Sequence, residues 1–570
     1  MKYRWQLFPS QPLLADSLAA KLGVSPLLAQ CLINRGLDDA ENASRFLQPQ
    51  LKQLSDPFLL PDMQTAVDRL FTARKRNETI VLFGDYDVDG VTSVAMLYEL
   101  LTALGWRAHC FLPHRLDEGY GLSLEAVRHC LEKTNASLFV AVDCGTSATE
   151  AIAWLAERKR EVIVVDHHQP GGQRPNAVAI VNPQLDPAMR FSELCAAGLS
   201  FKLAHAIVKQ GRTLKLPEFA SYDVRPMLDL VALGTVADVV PLTGENRILV
   251  TAGLRRLQKC SRPGLAALRE VAQINGPIGV YEIGFQLGPR LNAAGRLETA
   301  QGALDLLLAD SPQQAATLAQ QLDFQNRERQ RLERAILQEA QTRLRSHFNP
   351  ETDPVIVDGD ASWHIGVVGI VAARLQQEYY RPTFIFGGDG QSLRGSGRSV
   401  AGFDLAAALR ECAPLLLRFG GHAMAAGVSL VPENLAAFRT QLGKIASRQL
   451  AREQLLPPLV LDAEVTLQDL TPEFIKELSR LKPFGQQNPP VQLCCRRLTN
   501  ARAPVRVGRE QKHVKFWVTD GQQTCEAIWW NGGDALWPTG QFDLAFIPQT
   551  NVYNGATQLQ LKLIDWRASE

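Results

Sequence analysis

The chain of 570 residues is too long for one hydrophobic core and calls for three or four domains. Hydrophobic residues at 46% and charged residues at 21% exclude a disordered or fibrous protein. Lys and Arg total 60 against 59 Asp and Glu, which excludes a globally basic chain, so a nucleic-acid partner would have to be held by local patches.

In chain order, residues 1–50 read as a helical, Leu- and Ala-rich leading element. Apolar runs at 79–83, 108–112, 138–142 and 161–165 then alternate with amphipathic helices, one of which puts Val94, Leu97, Leu100, Leu101 and Leu104 on one face. That alternation predicts an α/β domain with a parallel sheet over 51–310, more helical from 195 to 308. Residues 311–346, Arg- and Gln-rich with no Gly or Pro after Pro312, predict a connecting helix. A second α/β domain over 347–455 opens with strands at 354–357 and 382–386. Beyond Leu456-Pro457-Pro458, alternating segments at 514–518, 525–530, 542–547 and 559–564 predict a small β-barrel over 456–570. The ten cysteines lack CxxC spacing and read as reduced thiols. Met1-Lys2-Tyr3-Arg4-Trp5 is not a signal peptide and no segment reads as a membrane span, so a soluble cytoplasmic protein is expected.

The strongest chemical pattern is Gly84-Asp85-Tyr86-Asp87-Val88-Asp89-Gly90 after the first apolar strand. Carboxylates about 4 Å apart repel by roughly 4 kcal/mol at an effective dielectric of 20, which a bound cation offsets. An EF-hand loop would need Glu at its twelfth position, where Met96 stands; a plain acidic turn is the structural alternative. Two further strands decide against it, one ending in Asp143-Cys144-Gly145 and the other in Asp166-His167-His168. Parallel strands bring their carboxyl ends to one edge, so these groups converge. Mixed carboxylate and imidazole donors favour Mn2+ or Mg2+, with Zn2+ or Fe2+ as alternatives. An Asp shared by two ions would build the clamp used in phosphoryl displacement.

These motifs, with Val236-Ala237-Asp238-Val239-Val240-Pro241-Leu242, resemble those of the DHH phosphoesterase superfamily. Pro113-His114-Arg115 with Glu118-Gly119-Tyr120-Gly121, and the segments 288–296 and 420–427, narrow the resemblance to its RecJ branch, from about residue 40 onward. The resemblance implies a DHH catalytic domain, a DHHA1-type domain and a C-terminal OB-fold. It implies hydrolysis of single-stranded DNA from the 5′ end to 5′-mononucleotides, in recombination and repair. Implied partners are single-stranded DNA, a single-strand-binding protein and a helicase, and the implied state is a monomer. Asp87 and Asp143 would hold one ion, with Asp85 completing its shell; Asp89, Asp143, His167 and Asp238 would hold the other. His168 would contact the phosphate or the attacking oxygen, and Asp166 would orient the imidazole beside it. Phe83 stands where other members place a metal-binding His, which weakens the first site. Ser396, Arg398 and Arg296, with Arg290, would receive the 5′ phosphate, and Arg115, Tyr120 and His422 would touch DNA.

Read from the residues, 392–399 suits either a terminal phosphate, on Gly-freed amides and paired Arg, or a solvated hairpin tip. The 420–427 loop suits close backbone approach to a nucleotide, or tight helix packing. From 496 to 515 there are seven Lys or Arg against Glu510 alone, interleaved with aromatic rings. Arg506, Lys512, Lys515, Trp517 and Trp530 are the DNA-facing choices there, while most rings fill the barrel. The helix over 324–345 reads as a solvated connector with internal salt bridges. Two other functions compete. A phosphodiesterase for short oligonucleotides or cyclic dinucleotides needs neither this length nor a basic barrel. A non-catalytic DNA-binding scaffold would have lost the acids and imidazoles that are all present.

Overall fold

The computed structural model describes residues 2–114, 121–186, 189, 191–297, 299–388, 391–553 and 556–569. Arg115 and Tyr120 lie outside the described residues. The chain opens on a strand, β1 (Arg4–Leu7), where the pattern predicts helix; four residues are too few to display a period. Helices Pro12–Leu22, Pro26–Ile33 and Ala40–Leu47 follow. The chain divides into two compact units, Leu37–Asn326 with Ser479–Pro490, and Met1–Gly36 with Arg327–Leu478 and Val491–Glu570.

In the first unit, β2 (Thr79–Gly84), β3 (Arg107–Phe111), β4 (Leu138–Val142), β5 (Glu161–Val165) and β6 (Ala179–Val181) form an all-parallel sheet in the order β3-β2-β4-β5-β6. Its inner strands β2, β4 and β5 are near-continuous apolar runs because both faces are covered, whereas the edge strand β3 exposes Arg107 and His109. Ile80, Leu82, Val140 and Val142 pack on helices Val88–Ala103 and Ala196–Thr213. Val81, Phe83, Phe139 and Ala141 pack on Leu124–Thr134 and Thr149–Glu157. Phe83 is thereby a core residue, its ring stacked on Phe111 at 5.3 Å. The strand order reverses between β2 and β4, so their outgoing loops part and leave a crevice at the carboxyl ends. The buried Arg247 guanidinium donates to the carbonyls of Phe46 (2.7 Å), Leu481 (2.9 Å), Arg480 (3.0 Å) and Lys482 (2.8 Å), tying the outlying segment 479–490 to this unit.

In the second unit, β7 (Ile356–Gly359), β8 (Thr383–Gly388), β9 (Leu393–Arg398), β10 (Arg418–Gly421) and β11 (Ala425–Leu430) form a mixed sheet in the order β10-β11-β9-β8-β7. After β12 (Pro458–Leu461) and β13 (Ala463–Glu464) come β14 (Leu493–Val507), β15 (His513–Thr519), β16 (Thr524–Trp529), β17 (Phe542–Tyr553) and β18 (Ala556–Ala568). The last five close into a barrel, β14-β15-β16-β18-β17 and back to β14. Phe516, Phe542 and Phe546 are fully buried in it.

β1 pairs in parallel with β12. Trp5 Nε1 donates to Asp565 (2.9 Å), and Arg567 lies 4.7 Å over the Trp5 ring. Trp5→Ala removes a hydrogen bond, a cation–π contact and part of the packing, and should lower the stability of this unit by about 2 kcal/mol. Urea unfolding followed by barrel tryptophan fluorescence checks it; an unchanged midpoint would count against a stabilising role for these Trp5 contacts.

Helix Pro312–His347 is the expected connector, but it is less solvated than its composition suggests. Within the second unit Glu333 is buried between Arg329 (3.1 Å) and Arg374. Arg343 there reaches Asp360 (3.2 Å) and overlies Trp363. No single helix among the described residues is long and apolar enough to cross a membrane.

Candidate active site

The acidic loop follows from how β2 hands over to its helix. Asp87 is the N-cap of Val88–Ala103, its Oδ1 accepting from the amides of Asp89 (2.9 Å) and Gly90 (3.2 Å). A Cβ on Gly90 would lie 2.5 Å from the Asp85 carbonyl, so only glycine lets the helix start this close to the loop. Asp85, Asp87 and Asp143 present carboxylate oxygens within 4.8 Å of one another. Asp143 directly follows β4 with φ +62°, a left-handed conformation that Asp tolerates better than most residues and that clusters at functional sites.

The imidazole of His167 closes the ring. Its Nε2 lies 3.2 Å from Asp143 Oδ1, 3.6 Å from Asp238 Oδ2 and 3.8 Å from Asp89 Oδ2. Asp238 caps the carboxyl end of helix Leu228–Ala237. Asp89 is held from behind, its oxygens accepting from Ala196 N (2.7 Å) and Ala197 N (2.8 Å) at the start of helix Ala196–Thr213. The favourable end of that helix dipole therefore supports a fully buried carboxylate. The Cys195 thiol also comes within 4.8 Å of Asp89 and Asp238.

Asp166 faces away from this ring. Its Oδ1 pairs with His168 Nδ1 (2.7 Å) and accepts from the His167 and His168 amides; its Oδ2 accepts from Thr146 N (3.0 Å). Buried Asn182 braces the same turn through Thr146 Oγ1 (2.8 Å) and the His168 carbonyl (2.9 Å). The loops after β4 and β5 are thus locked together.

The electrostatics fit divalent cations. Burial and then the charges of Asp89, Asp87, Asp85 and Asp238 push Asp143 well above the carboxylate range. Burial and the neighbouring acids raise Asp238 to about 9 and Asp89 to about 7. Burial and the adjacent His168 lower His167 to about 4, leaving it a neutral donor. Burial works against a charge on His168, but Asp166 outweighs it and lifts the group to about 9. Asp166 is itself held far below the usual range: burial opposes its ionisation and the contacts to His168 and Thr146 overcome it. Among the described residues, the buried Asp143 Oδ1 and Asp238 Oδ2 accept no hydrogen bond. Oxygen-rich donors, one neutral imidazole and orphaned carboxylate oxygens are what Mn2+ or Mg2+ would satisfy.

The other predicted site residues fall in several places. Arg290 is engaged with Asp323 (2.9 Å) and the Gln286 carbonyl (2.7 Å). Its helix, Gly288–Leu297, is anchored to the acidic loop instead by Asn292, whose Oδ1 accepts from Val88 N (3.1 Å). Arg296 is half-buried on that helix. In the second unit, residues 393–398 are an interior strand rather than a hairpin tip. A Cβ on Gly395 or Gly397 would strike the ring of Phe386 (2.5 Å) or Phe384 (2.4 Å), so these glycines serve packing, not amide exposure. Arg394, Ser396 and Arg398 alternate onto the opposite face, where Arg398 Nη1 donates to Ser396 Oγ (2.8 Å). Gly369, in the first turn of helix Val368–Tyr379, abuts both Ser396 and Arg398. Ser396 is in register with Gly427, and exposed His422 sits at the β10–β11 turn.

On the barrel, Arg502 lies 3.4 Å over the Trp517 ring, and half-exposed Trp530 stands against His513 (4.6 Å). Arg506 donates to the Gly533 carbonyl (2.8 Å). Lys515 pairs with Glu526 (2.9 Å) and Lys512 with Glu510 (2.5 Å). Sequence reasoning missed the anchoring role of Asn292 and the Ala196–Ala197 amides. The first was one polar residue between two more conspicuous arginines, and the second has no side-chain signature.

Residues 79–235 match the DHH family, N-terminal domain, residues 352–448 the DHHA1 domain, and residues 461–565 the RecJ OB domain. The chain is similar to the single-stranded-DNA-specific exonuclease RecJ of Bacillus subtilis (strain 168), 36% identical over 580 residues, covering 100% of this chain and 71% of that protein. It is 37% identical over 571 residues to the RecJ of Dickeya dadantii (strain 3937), covering 96% of each. Among solved structures, RecJ in complex with Mn2+ from Thermus thermophilus superposes with a TM-score of 0.86 at 33% identity, over 100% of this chain and 80% of that one. The Mg2+ complex from the same organism gives 0.80 at 31%, over 100% and 79%. With three matching domains in order and a donor set suited to the same ions, the chain belongs to the RecJ family of exonucleases.

Proposed function

We propose that the protein is a single-stranded-DNA exonuclease that hydrolyses phosphodiester bonds from the 5′ end and releases 5′-mononucleotides. The observation that carries this reading is a neutral imidazole, His167 Nε2, within 3.8 Å of two buried carboxylates, Asp89 and Asp143, and the half-buried Asp238. Asp87 and Asp143 with Asp85 would hold one ion; Asp89, Asp143, His167 and Asp238 the other. Bound divalent ions supply charge neutralisation at the attacked phosphate and make a water acidic enough to attack at neutral pH. Asp143 faces both donor groups and would serve as the shared ligand. Cationic His168, fixed by Asp166, contacts a non-bridging phosphate oxygen and balances charge that develops there. With Phe83 in the core, the first site relies on oxygen donors alone and binds its ion more weakly than the second.

Ser396 and Arg398, beside the first turn of a helix, suit a terminal phosphate through a hydroxyl and a guanidinium. Arg296 and His422 contact the backbone of the strand. On the barrel, the Arg502–Trp517 stack and Trp530 bind single strands by charge and ring contact, without reading sequence. Trp517→Ala should weaken affinity for a long single strand roughly 5- to 100-fold in fluorescence anisotropy while leaving kcat on a dinucleotide unchanged. Equal affinity would remove Trp517 from the binding surface. We further propose a role in recombination and repair, with a single-strand-binding protein and a helicase as partners.

Digestion of end-labelled single- and double-stranded DNA with Mn2+, Mg2+ or EDTA tests the whole reading. Label should leave 5′-labelled single strands first, with either ion and not with EDTA. An oligonucleotide left intact under every metal would overturn it.

A further inference from the structure

On the helical segment that leads to the acidic ring lies an aromatic pair to which neither the fold nor the ligand set assigns work. Tyr281 and Phe285 are four residues apart, their rings stacked with centroids 5.0 Å apart and planes 28° apart. They are 61% and 71% exposed, while Ile283 and Leu287 beside them are fully buried. Single exposed apolar residues need no explanation, but a stacked pair held outward by buried neighbours is a built surface. Phe285 lies in the π-helical turn Ile283–Leu287, a distortion frequent at functional sites. The intervening Glu282 is drawn aside to cap the helix start, its Oε2 accepting from Gly279 N (2.8 Å), so its charge is tied to the backbone.

The helical segment that carries the pair packs against the helix that ends at Asp238. A Cβ on Gly288, three residues beyond Phe285, would lie 3.6 Å from that of Ala237, whose chain neighbour is Asp238. Val239, next after Asp238, is 66% exposed with φ +60°, a strained conformation for a β-branched residue, and adds an apolar edge. Further along the same helical segment, Asn292 bonds the acidic loop at Val88. Two helical turns, about 10 Å, separate Phe285 from Asn292.

We propose that Tyr281 and Phe285 form a stacking platform for a nucleobase of the DNA strand, seating it next to the bond being cut. The proposal rests on the exonuclease reading. A π-face is common to every base, so such a platform positions a strand without selecting sequence. Apolar contact here also complements the acidic ring: it grips the base where the site, without its ions, would repel the backbone.

The test uses the full chain and single-stranded oligonucleotides carrying one 2-aminopurine, moved position by position from the 5′ end, in EDTA. Wild type should quench the fluorophore most strongly at one position near that end. Tyr281→Ala with Phe285→Ala should abolish that maximum, and Phe285→Trp should retain it. With Mn2+, the double variant should raise KM roughly tenfold. An abasic site at the quenched position should slow wild type and leave the variant no worse. Quenching and abasic penalty unchanged in the double variant would overturn the platform, as would protection of the rings by a second protein instead of DNA. Wild-type cleavage on the same preparation separates the two readings: digestion without position-specific quenching sinks the platform alone.

Discussion

Asp143→Ala should lower the cleavage rate by roughly a thousandfold or more, because one carboxylate serves both halves of the ion cluster. Single-strand affinity of the barrel should survive, so anisotropy and product release measured on one preparation separate catalysis from binding. Retained cleavage would remove Asp143 from the shared position. Asp143→Asn should have a second effect of opposite sign. Without metal the buried acids repel one another, and deleting one charge should raise the unfolding temperature in EDTA while shrinking the gain on adding Mn2+. The pH dependence follows from the same groups. Asp89 at about 7, and Asp238 and His168 at about 9, hold their protons more tightly folded than unfolded. Their contribution to metal-free stability is full below the unfolded pKa values and is lost as pH rises through 7 to 9. His167 and Asp166 are already deprotonated there in both states and do not alter the sign. Ion binding requires deprotonated donors, so the metal-induced rise in unfolding temperature should grow over that interval. A rise that is flat or falls from pH 7 to 9 would contradict the assignment.

Arg398→Ala should reduce kcat/KM on 5′-phosphorylated single strands about 10- to 100-fold, the equivalent of losing a charge-assisted contact of roughly 1.5–3 kcal/mol. On strands ending in a 5′ hydroxyl the rate should change little, so the preference between the two ends disappears. Arg398→Lys should recover only part of it, since an ammonium keeps the charge but not the planar fork that also holds Ser396. An equal loss on both substrates would show that Arg398 supports β9 rather than reading the end.

The acids and imidazoles of the loops after β2, β4 and β5 were legible because each loop follows an apolar strand, and parallel pairing converts that local signal into a meeting point; Asp238, at the end of a helix, was reached only through the family motif. What supports them was not. Asp89 rests on amides 107 and 108 positions away, and amides carry no residue code. The glycines at 395 and 397 signalled a turn because the rings that forbid a side chain there come from another strand. β14 escaped notice for the same kind of reason. Arg496, Arg497, Asn500 and Pro504 interrupt its alternation, and its pairing with β15 is broken by register shifts near Arg502. The leading strand β1 had no pattern of its own and exists only because β12 offers an edge.

That edge sets a schedule for biogenesis. Trp5 and its acceptor Asp565 are 560 positions apart, so at 5–20 residues per second a ribosome exposes the first roughly half a minute to two minutes before the second. For most of that interval, until β12 emerges, a short tryptophan-bearing strand waits outside the exit tunnel without a mate, and bulky fusions ahead of it would obstruct the final docking. Preparations tagged at the amino end should mature more slowly than those tagged elsewhere.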